Sequence, residues 1–184
     1  ASHPDDEVLG CGATAARLSR QGHRLEIFIL GEGISSRYAQ RSDAHGRQLR
    51  RLQENAKAVG KLLGAAAVRF EGLPDNRFDE LPLLEIVKKI EKQVQGFEPE
   101  VIFTHHPGDL NVDHRATLRA VLTATRPLPQ CSVKELYTFE VLSSTEWAFQ
   151  QFQPAFKPNF FVEVSQTLET KVQGMRKYQG ESRS

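Results

Sequence analysis

The sequence has few cysteines, no long apolar run and no excess of either charge. Its two cysteines, Cys11 and Cys131, are too few for a disulfide framework or a cysteine-based metal site, and they favour the cytoplasm, where thiols stay reduced. No apolar run approaches the ~18 residues of a membrane-spanning helix. The 24 basic residues are balanced by 23 acidic ones and form no basic stripe, so the composition does not favour nucleic-acid binding.

The chain length and composition suit one soluble globular domain spanning residues 1–184. Strand-like and helix-like patterns alternate, which is typical of an α/β fold with a mostly parallel sheet flanked by helices. We predict helices at about residues 7–21, 45–63, 83–94 and 166–178, and another from an N-cap at Asp113 to about residue 125. We predict strands at 23–30, 66–72 and 134–141, and one beginning near residue 100. The proline-interrupted aromatic segment 147–164 is more typical of an extended β segment than of a helix.

Both ends of the chain resemble interior segments of a domain. The first residues, "ASHPDDE", read as a loop that follows a strand, and the last, "YQGESRS", contain no clear stop signal. We therefore expect that a first strand is missing from this sequence and that the domain is truncated at both ends.

Two loops are rich in side chains that bind metals. The first contains His3, Asp5 and Asp6, and the second runs from residue 105 to residue 114. Open α/β sheets bind ligands at the carboxyl ends of their strands, and imidazole with carboxylate but without thiolate suits a catalytic Zn²⁺. Each residue alone could be a solvated polar side chain or a helix cap, but the two loops together favour a metal site.

The spacing within the first loop suggests separate roles. His3 and Asp6 are three residues apart, so their side chains can converge near the N-terminus of the first helix. Asp5 cannot easily share that face. It is better placed to accept a proton from the attacking water, as a general base does.

Two longer segments, "SHPDDEVLGCGATAARL" and "HPGDLNVDHR", resemble the two signature blocks of the PIG-L/LmbE-like deacetylase family. The resemblance implies a Rossmann-like fold and hydrolysis of an acetamide on a glucosamine unit with one divalent metal, usually Zn²⁺. It implies further that His3, Asp6 and His114 are metal ligands and that Asp5 is the general base. Asp113 would orient a neighbouring polar group.

Asn111 departs from the family pattern, because many relatives carry a histidine there that stabilises the tetrahedral oxyanion. An amide can donate a hydrogen bond to the oxyanion but cannot act as an acid. The resemblance therefore implies oxyanion stabilisation by Asn111 and leaves open the source of the leaving amine's proton. Asp5 could return it, since the base is protonated at that moment.

The predicted substrate contacts are Asp75, Arg77, His105 and His106, all in loops or at strand ends. The Arg77 guanidinium would suit a sugar hydroxyl or a phosphate, although a surface ion pair with Asp75 or Asp79 explains it equally well. Weaker candidates are Arg37, Arg50, Arg51 and Trp147. Trp147 could stack on a sugar ring or be a buried structural residue.

The leading hypothesis is removal of acetyl groups from an N-acetylglucosamine-type unit, free or linked to a glycan, lipid or nucleotide. A second hypothesis keeps the metal and changes the substrate to another amide, such as a mycothiol-like or bacillithiol-like conjugate. A third is a non-catalytic sugar- or nucleotide-binding module, against which the general-base position of Asp5 argues. The segment "GCGATA" carries only part of a dinucleotide-binding glycine pattern. The sequence leaves open whether the metal is Zn²⁺ or another divalent ion and whether the protein forms a homo-oligomer.

Overall fold

Helices and strands alternate along the protein in the computed structural model, which describes residues 1–38, 46–149 and 151–178. The α-helices and strands of these residues are, in chain order, α1 (Asp6–Arg20), β1 (Glu26–Gly31), α2 (Gly46–Leu63), β2 (Ala67–Leu73), α3 (Leu83–Phe97), β3 (Val101–His105), α4 (Val112–Ala124), β4 (Glu135–Phe139) and α5 (Leu168–Lys177). The α/β class predicted from the sequence is confirmed.

The strands form two short parallel pairs. β1 pairs with β2, with Glu26 opposite Ala67, and β3 pairs with β4, with Val101 opposite Glu135. Parallel neighbours need a crossover connection, and α2 and α4 lie in the two connections. Within the described residues no backbone ladder joins the two pairs.

Two apolar clusters hold the helices against the strands. The first joins α1, β1, α2 and α5, and the second joins β1, α3 and α4. In α2 the residues Leu52, Ala56, Val59 and Leu63 are all buried. Their spacing places them on one face of a helix, which confirms the periodicity that predicted α2.

The start of α4 differs from the prediction. Its N-cap is Asn111, whose side-chain Oδ1 accepts a 2.8 Å hydrogen bond from the backbone N–H of Asp113. The predicted cap at Asp113 is therefore wrong, because the side chain of Asn111, two residues earlier, is the group that caps the helix. This frees the Asp113 carboxylate for contacts elsewhere.

Three further features complete the fold. Residues 151–164 form neither helix nor strand, and the predicted start of α2 at residue 45 lies outside the described residues. Cys11 and Cys131 are free thiols. None of the described helices has the length and apolarity needed to cross a membrane.

Candidate active site

The loop that precedes α1 lies across the carboxyl end of β1. The backbone N–H groups of Leu30 and Gly31 donate to the carbonyls of Ala1 (3.1 Å) and Ser2 (2.7 Å). A side chain at Gly31 would lie 2.9 Å from the Ser2 carbonyl and 3.1 Å from the His3 ring. Glycine at this position therefore allows β1 to hold His3 close.

His3, Asp6 and His114 converge at this edge, with ligand atoms within 4.8 Å of one another. Asp6 Oδ2 lies 3.5 Å from His3 Nδ1 and 3.3 Å from His114 Nε2. All three side chains are buried. The structure thus brings together the three residues that the family resemblance implied as metal ligands.

Asp113 orients the ring of His3. Its Oδ2 lies 2.8 Å from His3 Nε2, and the carboxylate also accepts the backbone N–H groups of Asn76 (2.7 Å) and Phe78 (2.9 Å). With Nε2 held in this way, Nδ1 of His3 faces Asp6. A carboxylate on the far nitrogen is the arrangement that orients histidine ligands of metals.

His114 has a similar neighbour in Asp109. The two nitrogens of the His114 ring lie 3.3 Å from Asp6 and 3.1 Å from Asp109, yet neither contact has the direction of a hydrogen bond. Buried polar atoms are rarely left without a partner, and a cation beside Nε2 would satisfy this one. The residues present therefore fit a metal at this point.

Asp109 was not singled out in the sequence, although it lies in the second ligand-rich loop. It is fully buried and accepts hydrogen bonds from the hydroxyls of Ser144 and Thr145 (2.8 Å for Thr145) and from the backbone N–H of Asn111 (2.8 Å). Burial raises its pKa, but the contacts with His114 and Ser144 outweigh burial and lower it. The carboxylate thus stays charged behind His114.

A second group of possible ligands, His3, Asp75 and Asp113, also lies within 4.8 Å. Both carboxylates of this group already accept hydrogen bonds from the protein. Asp113 accepts those described above, and Asp75 accepts from the backbone N–H of Ser36 (3.2 Å), the Ser36 hydroxyl and the Asn76 amide (3.1 Å). The set with His114 is the stronger metal candidate, since both ring nitrogens of His114 lack a hydrogen-bond partner.

The electrostatic field of the site favours positive charge. Burial lowers the pKa of His3, but contacts with Asp113 and Asp6 outweigh it and raise the pKa to about 10. Burial also lowers the pKa of His114, but the contacts with Asp6 and Asp109 outweigh burial and raise the pKa to about 9. The pKa of Asp6 is raised by burial but held well below its usual range by the facing histidines. The protons retained at this site are on His3 and His114, and a divalent cation could replace them.

His105 lies beneath the candidate metal ligands and is fully buried. Its ring stacks on His114 at a centroid distance of 3.9 Å, and its Nε2 accepts the backbone N–H of Ser2 at 2.9 Å. Burial and the nearby His114 hold its pKa well below 6.5, so the ring is neutral. The structure does not bring this predicted substrate contact to the surface.

His106 contacts the segment that precedes α5. Its Nε2 lies 2.8 Å from the Pro154 carbonyl, and its ring meets Phe156 edge-on at 5.0 Å. It therefore connects the end of β3 to residues 154–156.

Arg77 lies in the loop after β2 with its side chain 51% exposed and pairs with Glu80 at 3.7 Å. The predicted alternative of a pair with Asp75 or Asp79 is not what the structure shows. Trp147 is 49% exposed, so the alternative of a buried structural tryptophan is wrong.

Asn111 and Asp5 lie at the N-termini of α4 and α1, the helices that carry the candidate ligands His114 and Asp6. The Asn111 amide Nδ2 donates to Asn76 Oδ1 at 2.9 Å, which leaves its second N–H for another acceptor. Asp5 is half-buried and has φ 112°, and its side chain does not cap α1.

Comparison with known proteins now identifies the family. The profile of the PIG-L family, described as GlcNAc-PI de-N-acetylase, matches residues 1–125, which include every residue of the candidate metal site. The chain belongs to the PIG-L family.

Two curated relatives are deacetylases by name. The uncharacterized deacetylase YaiS of Escherichia coli K12 is 29% identical over 134 residues, covering 70% of this chain and 67% of that protein. The diacetylchitobiose deacetylase of Thermococcus kodakarensis is 26% identical over 190 residues, covering 97% of this chain and 67% of that protein.

The PIG-L fold also occurs in an enzyme with a different name. The crystal structure of GalB, the 4-carboxy-2-hydroxymuconate hydratase of Pseudomonas putida KT2440, superposes with a TM-score of 0.77 at 18% identity, covering 98% of this chain and 77% of that one. At this identity the likeness concerns the fold alone, so the reaction has to be argued from the site.

Proposed function

We propose that this PIG-L family chain is a metal-dependent hydrolase that removes the acetyl group from an amino sugar of the N-acetylglucosamine type. The observation that carries the proposal is the convergence of His3, Asp6 and His114, in which an unsatisfied imidazole nitrogen faces a carboxylate. Two histidines and one carboxylate are a ligand set of catalytic zinc sites, so we propose Zn²⁺ as the metal.

When bound, a divalent metal would polarise the acetamide carbonyl and lower the pKa of the attacking water. Asp5 takes one proton from that water as it attacks, and the bond from oxygen to the carbonyl carbon forms. The second N–H of the Asn111 amide donates to the oxyanion. The bond from carbon to nitrogen then breaks, and Asp5 returns its proton to the leaving amine.

The burial of the site suggests which residues contact the sugar. Asp75, His105 and His106 are each less than 10% exposed and hold other groups, so we assign them to positioning the loops. Arg77 is half exposed and carries five N–H donors suited to hydroxyl or phosphate oxygens. We propose it for direct substrate contact.

The names of the relatives support an amino-sugar substrate. The family description contains GlcNAc, and one relative is named for a diacetylated sugar. A small or glycan- or lipid-linked amino sugar therefore fits this chain better than a peptide.

We propose also that the two strand pairs belong to one Rossmann-like sheet in a single domain. An apolar cavity of about 770 Å³ is lined by residues of β1, β3 and β4, including Ile27, Phe28, Ile102 and Phe103. A further strand between β1 and β3 would cover this lining and join the pairs.

The decisive experiment is a substrate panel with the zinc-loaded protein. N-acetylglucosamine, diacetylchitobiose and N-acetyl amino acids are incubated separately, and acetate and free amine are both quantified. Equal release of both from the sugars, lost on chelation and restored by Zn²⁺, is expected. Hydrolysis of the amino acids alone overturns the sugar assignment and leaves the metal site standing. Zinc bound without any hydrolysis favours a non-catalytic binding module.

A further inference from the structure

Tyr178, at the end of α5, reaches the first turn of α1. It is only 1% exposed, and its hydroxyl donates a 2.7 Å hydrogen bond to Glu7 Oε1. The other oxygen of Glu7 accepts the backbone N–H of Asp5 at 2.9 Å. A continuous line of hydrogen bonds therefore connects the C-terminal helix to the backbone of Asp5.

Asp5 has a backbone conformation that needs external support. Its φ of 112° and ψ of −30° lie outside the regions that L-residues favour, and such residues persist where their surroundings hold them. Because the direction of the Cα–Cβ bond follows from the backbone, the group that holds this N–H also sets where the Asp5 carboxylate points. That group is Glu7.

The docking of α5 on α1 brings Tyr178 to Glu7. Lys171 Nζ donates to the Leu9 carbonyl at 2.7 Å. A side chain at Gly174 would lie 2.8 Å from Val8, so glycine there allows close approach. Lys171, Gly174 and Tyr178 are three and four residues apart, hence on one face of α5.

We propose that Tyr178 and Glu7 are positioning residues that hold the Asp5 backbone in its catalytic orientation, which rests on the proposed role of Asp5 as general base. Among the described residues, Glu7 and Tyr178 form side-chain hydrogen bonds to each other and to the Asp5 backbone but not to His3, Asp6 or His114, so their effect is on the base and not on the metal. A purely structural pair would instead affect stability alone.

Tyr178→Phe removes only the hydroxyl and tests the proposal directly. We expect kcat on the best N-acetyl sugar to fall by roughly 10–100-fold, in line with the cost of misplacing a catalytic group by about 1 Å. KM and zinc content should stay at the wild-type values. Arg176→Met is the matched control, because it removes an exposed ion pair of the same helix, 3.6 Å to Glu169, without touching Glu7, and it should leave kcat unchanged.

Glu7→Gln and Glu7→Leu provide the second comparison, and they serve also if Tyr178→Phe does not fold. Glutamine keeps an oxygen for the Asp5 N–H, so its kcat should fall less than that of the leucine variant. Equal kcat losses in both, or a folded Tyr178→Phe with wild-type kcat, overturn the inference. If the wild type hydrolyses no acetamide, the proposed function fails, and the positioning role falls with it.

Discussion

Asp109 lies 3.1 Å from Nδ1 of His114, on the side of the ring away from Asp6. Asp113 stands in the same relation to His3. Each of the two candidate histidine ligands therefore has one carboxylate at the metal side and another behind it.

Asp109→Asn should lower the affinity for Zn²⁺ by roughly 10–100-fold, because loss of the carboxylate behind a ligand weakens both its orientation and its basicity. Competition with a fluorescent chelator measures the change. Asp79→Asn, at an exposed carboxylate, is the control. Wild-type affinity in the Asp109 variant would remove Asp109 from the metal site.

Asp5→Asn should lower turnover by roughly 10²–10⁴-fold, as the loss of a general base does. Zinc content, measured by elemental analysis of the same samples, should not change. If metal and activity are lost in the same proportion, Asp5 is a ligand and not the base.

Asn111→Ala and Asn111→Ser separate two roles of this amide. Both remove the oxyanion donor, so turnover should fall by about 10²–10³-fold with little change in KM. Only alanine also removes the N-cap of α4, which should cost about 1 kcal/mol in the free energy of unfolding. Activity assays and urea denaturation give the two readouts. Full activity in the alanine variant would move the oxyanion role elsewhere.

The metal-free protein should lose stability as the pH rises. The folded-state pKa values of His3 and His114 are raised to about 10 and about 9, above the unfolded value near 6.5. Their contribution is therefore complete below about pH 6.5 and is lost as the pH rises through about 9 and 10. Urea midpoints of chelator-treated protein across this range measure it. The His114→Gln variant should show a smaller decline, and a wild-type midpoint that rises with pH contradicts the prediction.

Arg77→Ala should raise KM for the sugar and leave kcat nearly unchanged, because it removes binding common to ground and transition states. Steady-state kinetics on the best substrate give both constants. Glu80→Gln removes the ion-pair partner of Arg77 and should leave KM near the wild-type value. An unchanged KM in the arginine variant excludes Arg77 from the substrate site.

Features that depend on neighbouring residues could be predicted from the sequence. The helix α2 follows from apolar residues at helical spacing, and its predicted and observed C-terminal ends agree at Leu63. The first ligand-rich loop could equally be predicted, because His3, Asp5 and Asp6 lie within four consecutive residues. Chemical identity and local periodicity are properties of short segments, so they need no knowledge of packing.

Contacts between distant segments required the tertiary structure. Asn76 and Phe78 hold Asp113, 37 and 35 residues away, and Tyr178 holds Glu7 across 171 residues. The same packing buries His105 beneath His114 and so removes it from the surface. The sequence by itself determined which groups could bind a metal and activate water. Only the packing of α4, α5 and the strand ends decided which partners orient them, because hydrogen bonds of this kind depend on distances in space that spacing along the chain does not specify.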